Sequence, residues 1–372
     1  MNPMSGDPPG HGGAARGERG HERAVHIAAL ATASPPFSAL QSVAGETLLR
    51  HAAGRLRPRS VSLSRKLFAH PSIRKRHFAI DSPEEFFAED PDQRIARFTE
   101  RSIGLSAEAV RKALAAAGLA KESIAALVLN TCTGYVCPGI STYLIEALDL
   151  PRDTRVYDLV GSGCGGAVPN LELASSLAAV LDDGQVVASV AVEICSATMQ
   201  IGDDLSLLVS NTLFGDGAAA ALLWTRGEGL ELVQSATWYA PEDREAIRYV
   251  HRGGQLHNQL STDLPDLVAK AVEVVVRRLL APRSLGVSDV PHWAMHTGGD
   301  KIIRTVGERL GLTEAQLQPT RMVLADYGNM SSPTVWYALE NVLAGDVRRG
   351  QWCMMLAFGA GLSAHGCLLR QA

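Results

Sequence analysis

Three residues far apart in the chain, Cys164, His296 and Asn329, have the side chains of a thiol-based acyl-transfer site. Cys164 lies in the turn Gly161-Ser162-Gly163-Cys164-Gly165-Gly166, after the apolar run Val156-Tyr157-Asp158-Leu159-Val160 and before a helical pattern from Ala167 to Leu181. Glycines let the backbone turn sharply at little steric cost, so the thiol is presented at the start of a helix. Backbone N–H groups and the positive end of the helix dipole favour a thiolate there. His296 ends the apolar strand Trp293-Ala294-Met295 and precedes Thr297-Gly298-Gly299, which projects its ring from a strand end onto a tight turn. Asn329 follows Gly328 in the small-residue turn leading to Ser331-Ser332. Singly, each has a plainer reading: an inert core thiol, a histidine bonded to backbone, a turn-forming or helix-capping asparagine. Together they suggest a thiolate–imidazolium nucleophile with two N–H donors able to hold an oxyanion or enolate. Such a donor is typically worth about 3 kcal/mol. No acidic partner for His296 is evident, which points away from a hydrolytic Cys-His-Asp arrangement. His51 and His257 sit in polar contexts and read as solvent-facing.

The elements that must position these groups alternate from Ala24 onward, which argues an α/β architecture. Strands are expected at Ala24–Leu30, Ile124–Asn130, Arg155–Leu159, Gln185–Glu193 and Ala218–Trp224, then Glu231–Tyr239, Pro291–His296, Met322–Ala325, Cys353–Phe358 and Ala364–Leu369. Helical patterns run over Arg101–Ala117, Ile140–Leu148, Ala167–Leu181, Pro265–Leu280, Lys301–Leu310 and Pro333–Ala344. A boundary near Gly227-Glu228-Gly229 divides the chain into residues 24–228, with the cysteine, and 229–372, with the histidine and asparagine. The approach to Cys164 and that to Asn329 both read as strand, small-residue turn, helix. That echo suggests a duplication with two helix N-termini near one centre.

The whole chain has 372 residues, 46% hydrophobic and 20% charged, with a formal net charge of −4. This gives no global attraction to nucleic acid or anionic membrane. The six cysteines form no CxxC pair, which argues against zinc and for reduced thiols in the cytoplasm. No apolar run reaches the roughly 18 to 20 residues that span a bilayer. Residues 1–23 are rich in Gly, Pro, Arg and His and read as a disordered tail, with no secretory signal. Neither a P-loop nor a dinucleotide fingerprint is present, so no ATP, nicotinamide or metal is expected.

In sequence order, a series of short strings carries a resemblance. They are Thr131-Cys132-Thr133-Gly134, Pro138-Gly139, Gly163-Cys164, Leu213-Phe214-Gly215-Asp216-Gly217, His296-Thr297-Gly298-Gly299, Tyr327-Gly328-Asn329-Met330-Ser331-Ser332 and Phe358-Gly359-Ala360-Gly361-Leu362. The chain resembles a type III polyketide synthase, the chalcone synthase-like branch of the thiolase superfamily, over most of its length. The resemblance implies a duplicated, αβαβα-layered thiolase-like fold with the site between pseudo-symmetric halves, and a homodimer. It implies that Cys164 takes an acyl group from a coenzyme A thioester, while His296 and Asn329 hold the enolate of malonyl-CoA as carbon dioxide leaves. No cofactor beyond these thioesters is implied.

By the same resemblance Phe214 is one of the two gating phenylalanines, and its apolar face disfavours a malonyl carboxylate. Asp216 reads as a backbone cap. Thr133, Thr198 and Ser331 match cavity-shaping positions. Cys137 stands where plant enzymes carry a methionine that reaches across the dimer. Arg65, Lys66 and His70, with Gly298, Gly299 and Lys301, fall in the coenzyme A-binding region; Leu63 replaces one expected basic residue. Asn258 falls at the second gating phenylalanine, and the segment between Thr198 and Phe214 is shorter than in plant enzymes. These departures argue against a plant-like phenylpropanoid product. A β-ketoacyl synthase III using acyl carrier protein shares the fold and triad, but usually carries Gln-Ala-Asn after its histidine. A non-catalytic acyl-CoA-binding relative is the alternative of another class.

Overall fold

The computed structural model describes residues 23–88 and 90–372. The expected tail, 1–23, lies outside the described residues except for Arg23, whose guanidinium donates to the Leu181 carbonyl at 3.0 Å.

Nine strands form one sheet, and their order explains how both halves meet at the site. From one edge they run His292–Met295, Trp352–Gly359, Ser363–Gln371, Leu230–Tyr239, His26–Ala33, Asp216–Trp224, Val186–Ile194, Ile124–Asn130 and Arg155–Leu159. The two strands that begin the halves, His26–Ala33 and Leu230–Tyr239, pair antiparallel at the middle. Outward on each side comes an antiparallel neighbour, another antiparallel strand, and then parallel pairing. The repeated pattern gives the duplication a physical form. The expected boundary falls in the turn between Trp224 and Leu230.

Alternation along the strands builds layers. Ala126 and Val128 face a core shared with the helices Ala167–Ala178 and Thr334–Leu343. Leu127 and Leu129 face the helix Pro91–Ala117 on the opposite side. In the second half Met354, Leu356 and Leu368 pack on the helices Leu264–Leu280 and Asp300–Leu310, while Cys353, Met355 and Cys367 face the shared core. The order is therefore helix, sheet half, two central helices, sheet half, helix. Those two central helices follow Cys164 and Asn329.

The expected strand Met322–Ala325 is instead part of the helix Glu314–Tyr327. A short apolar run cannot by itself separate strand from buried helix. The deciding signal is upstream: Thr313 and Gln316 form a reciprocal capping box. The approach to Asn329 is thus helical, unlike the strand Arg155–Leu159 before Cys164. A second box, Asp90 with Gln93, starts the helix Pro91–Ala117 ten residues before the expected Arg101. His257 is buried rather than solvent-facing, and His51 stacks on Phe87 at 4.0 Å.

Candidate active site

Cys164 sits in a single 3₁₀ turn, Gly163–Gly165, at the mouth of the helix Ala167–Ala178. The turn is pressed against the second half. A Cβ added at Gly359 would lie 2.5 Å from the Gly165 nitrogen and 2.6 Å from the Ser162 oxygen, so only glycine permits the approach. Asn329 is held just as tightly. Its N–H donates to the Leu213 carbonyl at 2.9 Å and its carbonyl accepts from Gly215 at 3.0 Å. Gly328 before it has φ 72, with any Cβ 2.6 Å from Leu213 O. This short parallel bridge pairs the backbone of Phe214 with that of Asn329. The Asn329 Oδ1 accepts from the Ser331 N–H at 2.7 Å, so the NH₂ end is the one left to donate.

His296 continues the edge strand by one residue, donating its backbone N–H to Leu356 O at 2.8 Å. Phe358 meets the imidazole edge-on, with centroids 5.0 Å apart. Cys164, His296, Asn329 and Phe214 line one cavity of about 430 Å³. His70, Gly298, Gly299 and Lys301 line the same cavity. Arg65 and Lys66 are exposed in the last turn of the helix Pro58–Phe68, away from that lining.

Burial opposes charge on both reactive groups. It pushes the Cys164 thiol up to about 12, with the Ser331 hydroxyl and the residue's own backbone N–H pulling the other way. It pushes His296 down to about 3, opposed by the Ser331 backbone. Burial thus works against the thiolate–imidazolium pair expected from sequence, while the Ser331 hydroxyl favours the thiolate and the Ser331 backbone the imidazolium. His296 Nδ1 is buried with no hydrogen-bond partner among the described residues.

Behind the turn lies an inner cavity of about 730 Å³, lined by Thr131, Cys132, Thr133, Thr198 and Tyr249, among others. Three of these, Thr131, Cys132 and Tyr249, were not singled out as cavity residues from sequence. Tyr249 bonds to Thr198, and burial pushes its phenol well up. The largest omission is Glu193, fully buried at the end of the strand Val186–Ile194. Its Oε2 accepts from the Cys132 and Thr133 N–H groups at 2.9 and 3.1 Å and from the Thr133 hydroxyl at 2.8 Å; its Oε1 accepts from the Ser332 hydroxyl at 2.8 Å. Burial raises its pKa, and the Cys132 backbone N–H and the Ser332 and Thr133 hydroxyls lower it. The carboxyl ties the 131–133 loop to the 331–332 turn. A lone carboxylate at the end of an otherwise apolar strand was the available signal.

Ser331 Oγ lies 3.2 Å from Cys164 Sγ, 3.2 Å from Cys132 Sγ and 3.3 Å from Glu193 Oε1. One hydroxyl proton serves only one acceptor, so the thiols and the carboxyl compete for it. Cys137 is exposed. Asn258 is buried and donates to Ser210 Oγ at 2.9 Å, and it lines neither reaction cavity. Asp216 caps backbone as expected, accepting from Ala79 and Ser196 N–H at 2.6 and 2.8 Å. Arg76, wholly buried, donates to the carbonyls of Phe214 at 2.6 Å and Asn211 at 3.0 Å. Burial lowers it to about 9, with Asp216 opposing.

A thiol, an imidazole and a carboxamide in one cavity of a duplicated layered α/β frame define a thiolase-like condensing acyltransferase. Residues 39–295 match the family model described as FAE1/type III polyketide synthase-like protein, and residues 231–372 that of the chalcone and stilbene synthases, C-terminal domain. A 1,3,6,8-tetrahydroxynaphthalene synthase of Streptomyces peucetius subsp. caesius is 32% identical, covering 94% of each chain. A 3,5-dihydroxyphenylacetyl-CoA synthase of Streptomyces toyocaensis is 31% identical over 82% of each. The solved PKS-I of the brown alga Ectocarpus siliculosus superposes with TM-score 0.84 at 26% identity, over 94% of this chain and 98% of that one. The chain belongs to the type III polyketide synthase family, and is a decarboxylating condensing acyltransferase. Among the described residues no helix is long and apolar enough to cross a membrane.

Proposed function

We propose that this synthase uses malonyl-CoA both as starter and as extender, and releases a small polyhydroxylated aromatic. Cys164 sulfur attacks the starter thioester carbonyl, with its proton passing to His296, and coenzyme A leaves as the thiol once that proton is returned. A second malonyl thioester then enters the outer cavity. Its carbonyl oxygen accepts from the His296 ring N–H and the Asn329 NH₂. The C–CO₂ bond breaks, its electrons form the enolate, and the enolate carbon attacks the acyl carbon on Cys164. The Cys164 sulfur leaves as thiolate and the chain, one ketide longer, now rides on coenzyme A until it is reloaded. Phe214 presents an apolar face that favours loss of the carboxylate. No cofactor enters this scheme. His70 and Lys301 supply cationic or donor groups at the mouth for the coenzyme A phosphates.

The observation that carries the product class is a set of hydrogen-bonding groups on the otherwise apolar wall of the inner cavity, next to the turn that bears Cys164. Thr131, Cys132, Thr133, Thr198 and Tyr249 offer hydroxyl, thiol and phenol groups to a chain that bears a carbonyl at every second carbon. The named products of the two Streptomyces relatives support the same reading. The reaction belongs in the cytoplasm, where a reduced Cys164 persists. A homodimer completes the reading: Tyr135, 74% exposed, and Val160, 58% exposed, leave an apolar face beside the inner cavity for a second copy.

The test is incubation with carbon-13-labelled malonyl-CoA alone, followed by product mass. A fully labelled phenolic product is expected. Carbon dioxide release with product only when a second acyl-CoA is added sinks the malonyl-primed reading, and dependence on malonyl acyl carrier protein sinks the coenzyme A reading.

A further inference from the structure

Charge is spread unevenly along the chain. Residues 47–80 hold nine of its 35 Lys and Arg and none of its 39 Asp and Glu. The whole chain carries −4, so this segment is a cationic island on an otherwise anionic molecule. It folds into the end of the helix Gln41–His51, a loop, the helix Pro58–Phe68 packed against the first, and the stretch that follows. Part of the charge is already matched. Arg57 lies 3.5 Å from Asp203 and Arg74 2.8 Å from Asp326, and Arg76 is buried on backbone carbonyls. Arg50, Arg55 and Arg59 are exposed and meet no carboxylate among the described residues.

A cavity of about 290 Å³ opens beside these arginines. Phe37, Val43 and Phe87 are among its walls, and Val43 is 50% exposed, so solvent reaches it. Arg76 and Arg94 line it too, each bonded to backbone carbonyls, while the exposed Arg55 stands at its rim. Apolar walls under a cationic rim suit an acidic surface that projects one apolar side chain. An extended polyanion, such as a membrane or a nucleic-acid duplex, also presses against the anionic remainder of the molecule, and is repelled by it. A small acidic domain touches the island alone. The helix Pro58–Phe68, about 16 Å long at 1.5 Å per residue, leads from this face to the outer cavity. Arg59 and Lys66 share one side of that helix, and Leu67 and His70 at its far end line the cavity that holds Cys164. A thioester reaches such a cavity on coenzyme A, or on the same pantetheine arm attached to an acidic carrier protein.

We propose that the face made by Arg50, Arg55 and Arg59 docks an acidic carrier protein. One apolar side chain of the carrier enters the cavity beside Val43, and its acyl-pantetheine arm follows the helix Pro58–Phe68 to Cys164. The carrier's thioester C–S bond breaks as the Cys164 sulfur takes the acyl group, and the Cys164 proton ends on the carrier's thiol. The synthase thereby gains starters other than malonyl. The docking face stands on charge and shape alone; the acyl delivery rests on Cys164 as acceptor, and neither rests on malonyl priming.

The probe is a bacterial fatty-acid acyl carrier protein in its octanoyl form, titrated into the full-length protein by calorimetry. Binding should weaken steeply as salt is added. Octanoyl transfer to Cys164 should appear in intact-protein mass spectra. Arg55→Glu combined with Arg59→Glu should weaken binding at least about tenfold, because each reversal sets like charges against each other. Carbon dioxide release from malonyl-CoA by that variant should stay native. Val43→Trp, which fills the cavity mouth, should weaken binding with the arginines intact. No binding by the native protein, or binding unchanged by salt and by the charge reversals, overturns the proposal. Lost malonyl-CoA turnover in a folded double variant overturns it too, and gives the arginines to coenzyme A. Equal binding to phosphatidylglycerol vesicles makes the face a membrane contact instead. The salt series uses the native protein and stands even if a variant misfolds. Docking without octanoyl transfer refutes delivery to Cys164, whether or not malonyl-CoA alone gives product.

Discussion

The outer cavity holds the Cys164 sulfur and the inner one is bordered by its neighbour Gly163, yet the two are built differently. In the outer cavity Asn329 is held by backbone hydrogen bonds to Leu213 and Gly215 on either side of Phe214, and His296 by the edge of the central sheet. The inner cavity is walled by side chains from a loop, 131–133, and from the hairpin of Ile247–Arg252 and Gln255–Leu260. The Cys-His-Asn group is thus held by backbone that a single substitution cannot move, whereas the inner wall is made of side chains that one can change. Glu193 is the joint between the two, because it binds the 131–133 loop and the 331–332 turn at once.

Breaking the outer cavity should give the largest effect. His296→Ala removes an enolate donor and should cut carbon dioxide release from malonyl-CoA by about 100- to 1,000-fold. Cys164→Ala should abolish covalent acylation in intact-protein mass spectra and yet keep decarboxylation, since His296 and Asn329 remain. Wild-type acylation of that variant refutes the nucleophile assignment. Removing the joint comes next. Glu193→Leu strands several buried donors and should cost at least about 3 kcal/mol in chemical denaturation, with Glu193→Gln costing less. Equal stability of the leucine variant and native protein contradicts the network.

A pH series separates the buried triad from the exposed surface. Burial holds His296 at about 3 and His365 at about 4, both below the ordinary 6.5. Between those values the unfolded chain binds protons that the folded chain refuses, so stability is full above the ordinary value and is lost as pH falls. Unfolding free energy should drop by about 2 kcal/mol per histidine from pH 7 to 5. His296→Gln should remove its share of that slope, and an unaltered slope rules out a neutral buried imidazole. The smallest energetic effect belongs to the inner wall. Tyr249→Phe deletes one hydroxyl bonded to Thr198 and should redistribute products by chromatography, with carbon dioxide release close to native. A fall in release as large as that of His296→Ala would erase the distinction between the two cavities.

Much of the outer site was legible because its residues sit in local patterns. The strands Ile124–Asn130 and Arg155–Leu159 have the expected bounds, and the turn glycines around Cys164 and before Asn329 mark backbone that no other residue fits. Met322–Ala325 was not legible as helix, because four apolar residues satisfy either period and the capping Thr313 lies well upstream of them. Asn258 shows the limit of alignment by spacing: the hairpin turns its amide toward Ser210.

By itself the sequence determined the type of chemistry, through a glycine-collared cysteine, a strand-end histidine and a glycine-preceded asparagine, because each depends on neighbours within a few residues. Only the tertiary structure decided that burial opposes charge on both reactive groups, that Glu193 ties the 131–133 loop to the 331–332 turn, and that the buried Arg76 holds the backbone of Phe214. Those properties come from burial and from contacts between segments that the chain order keeps far apart, and no local pattern encodes the low dielectric they share.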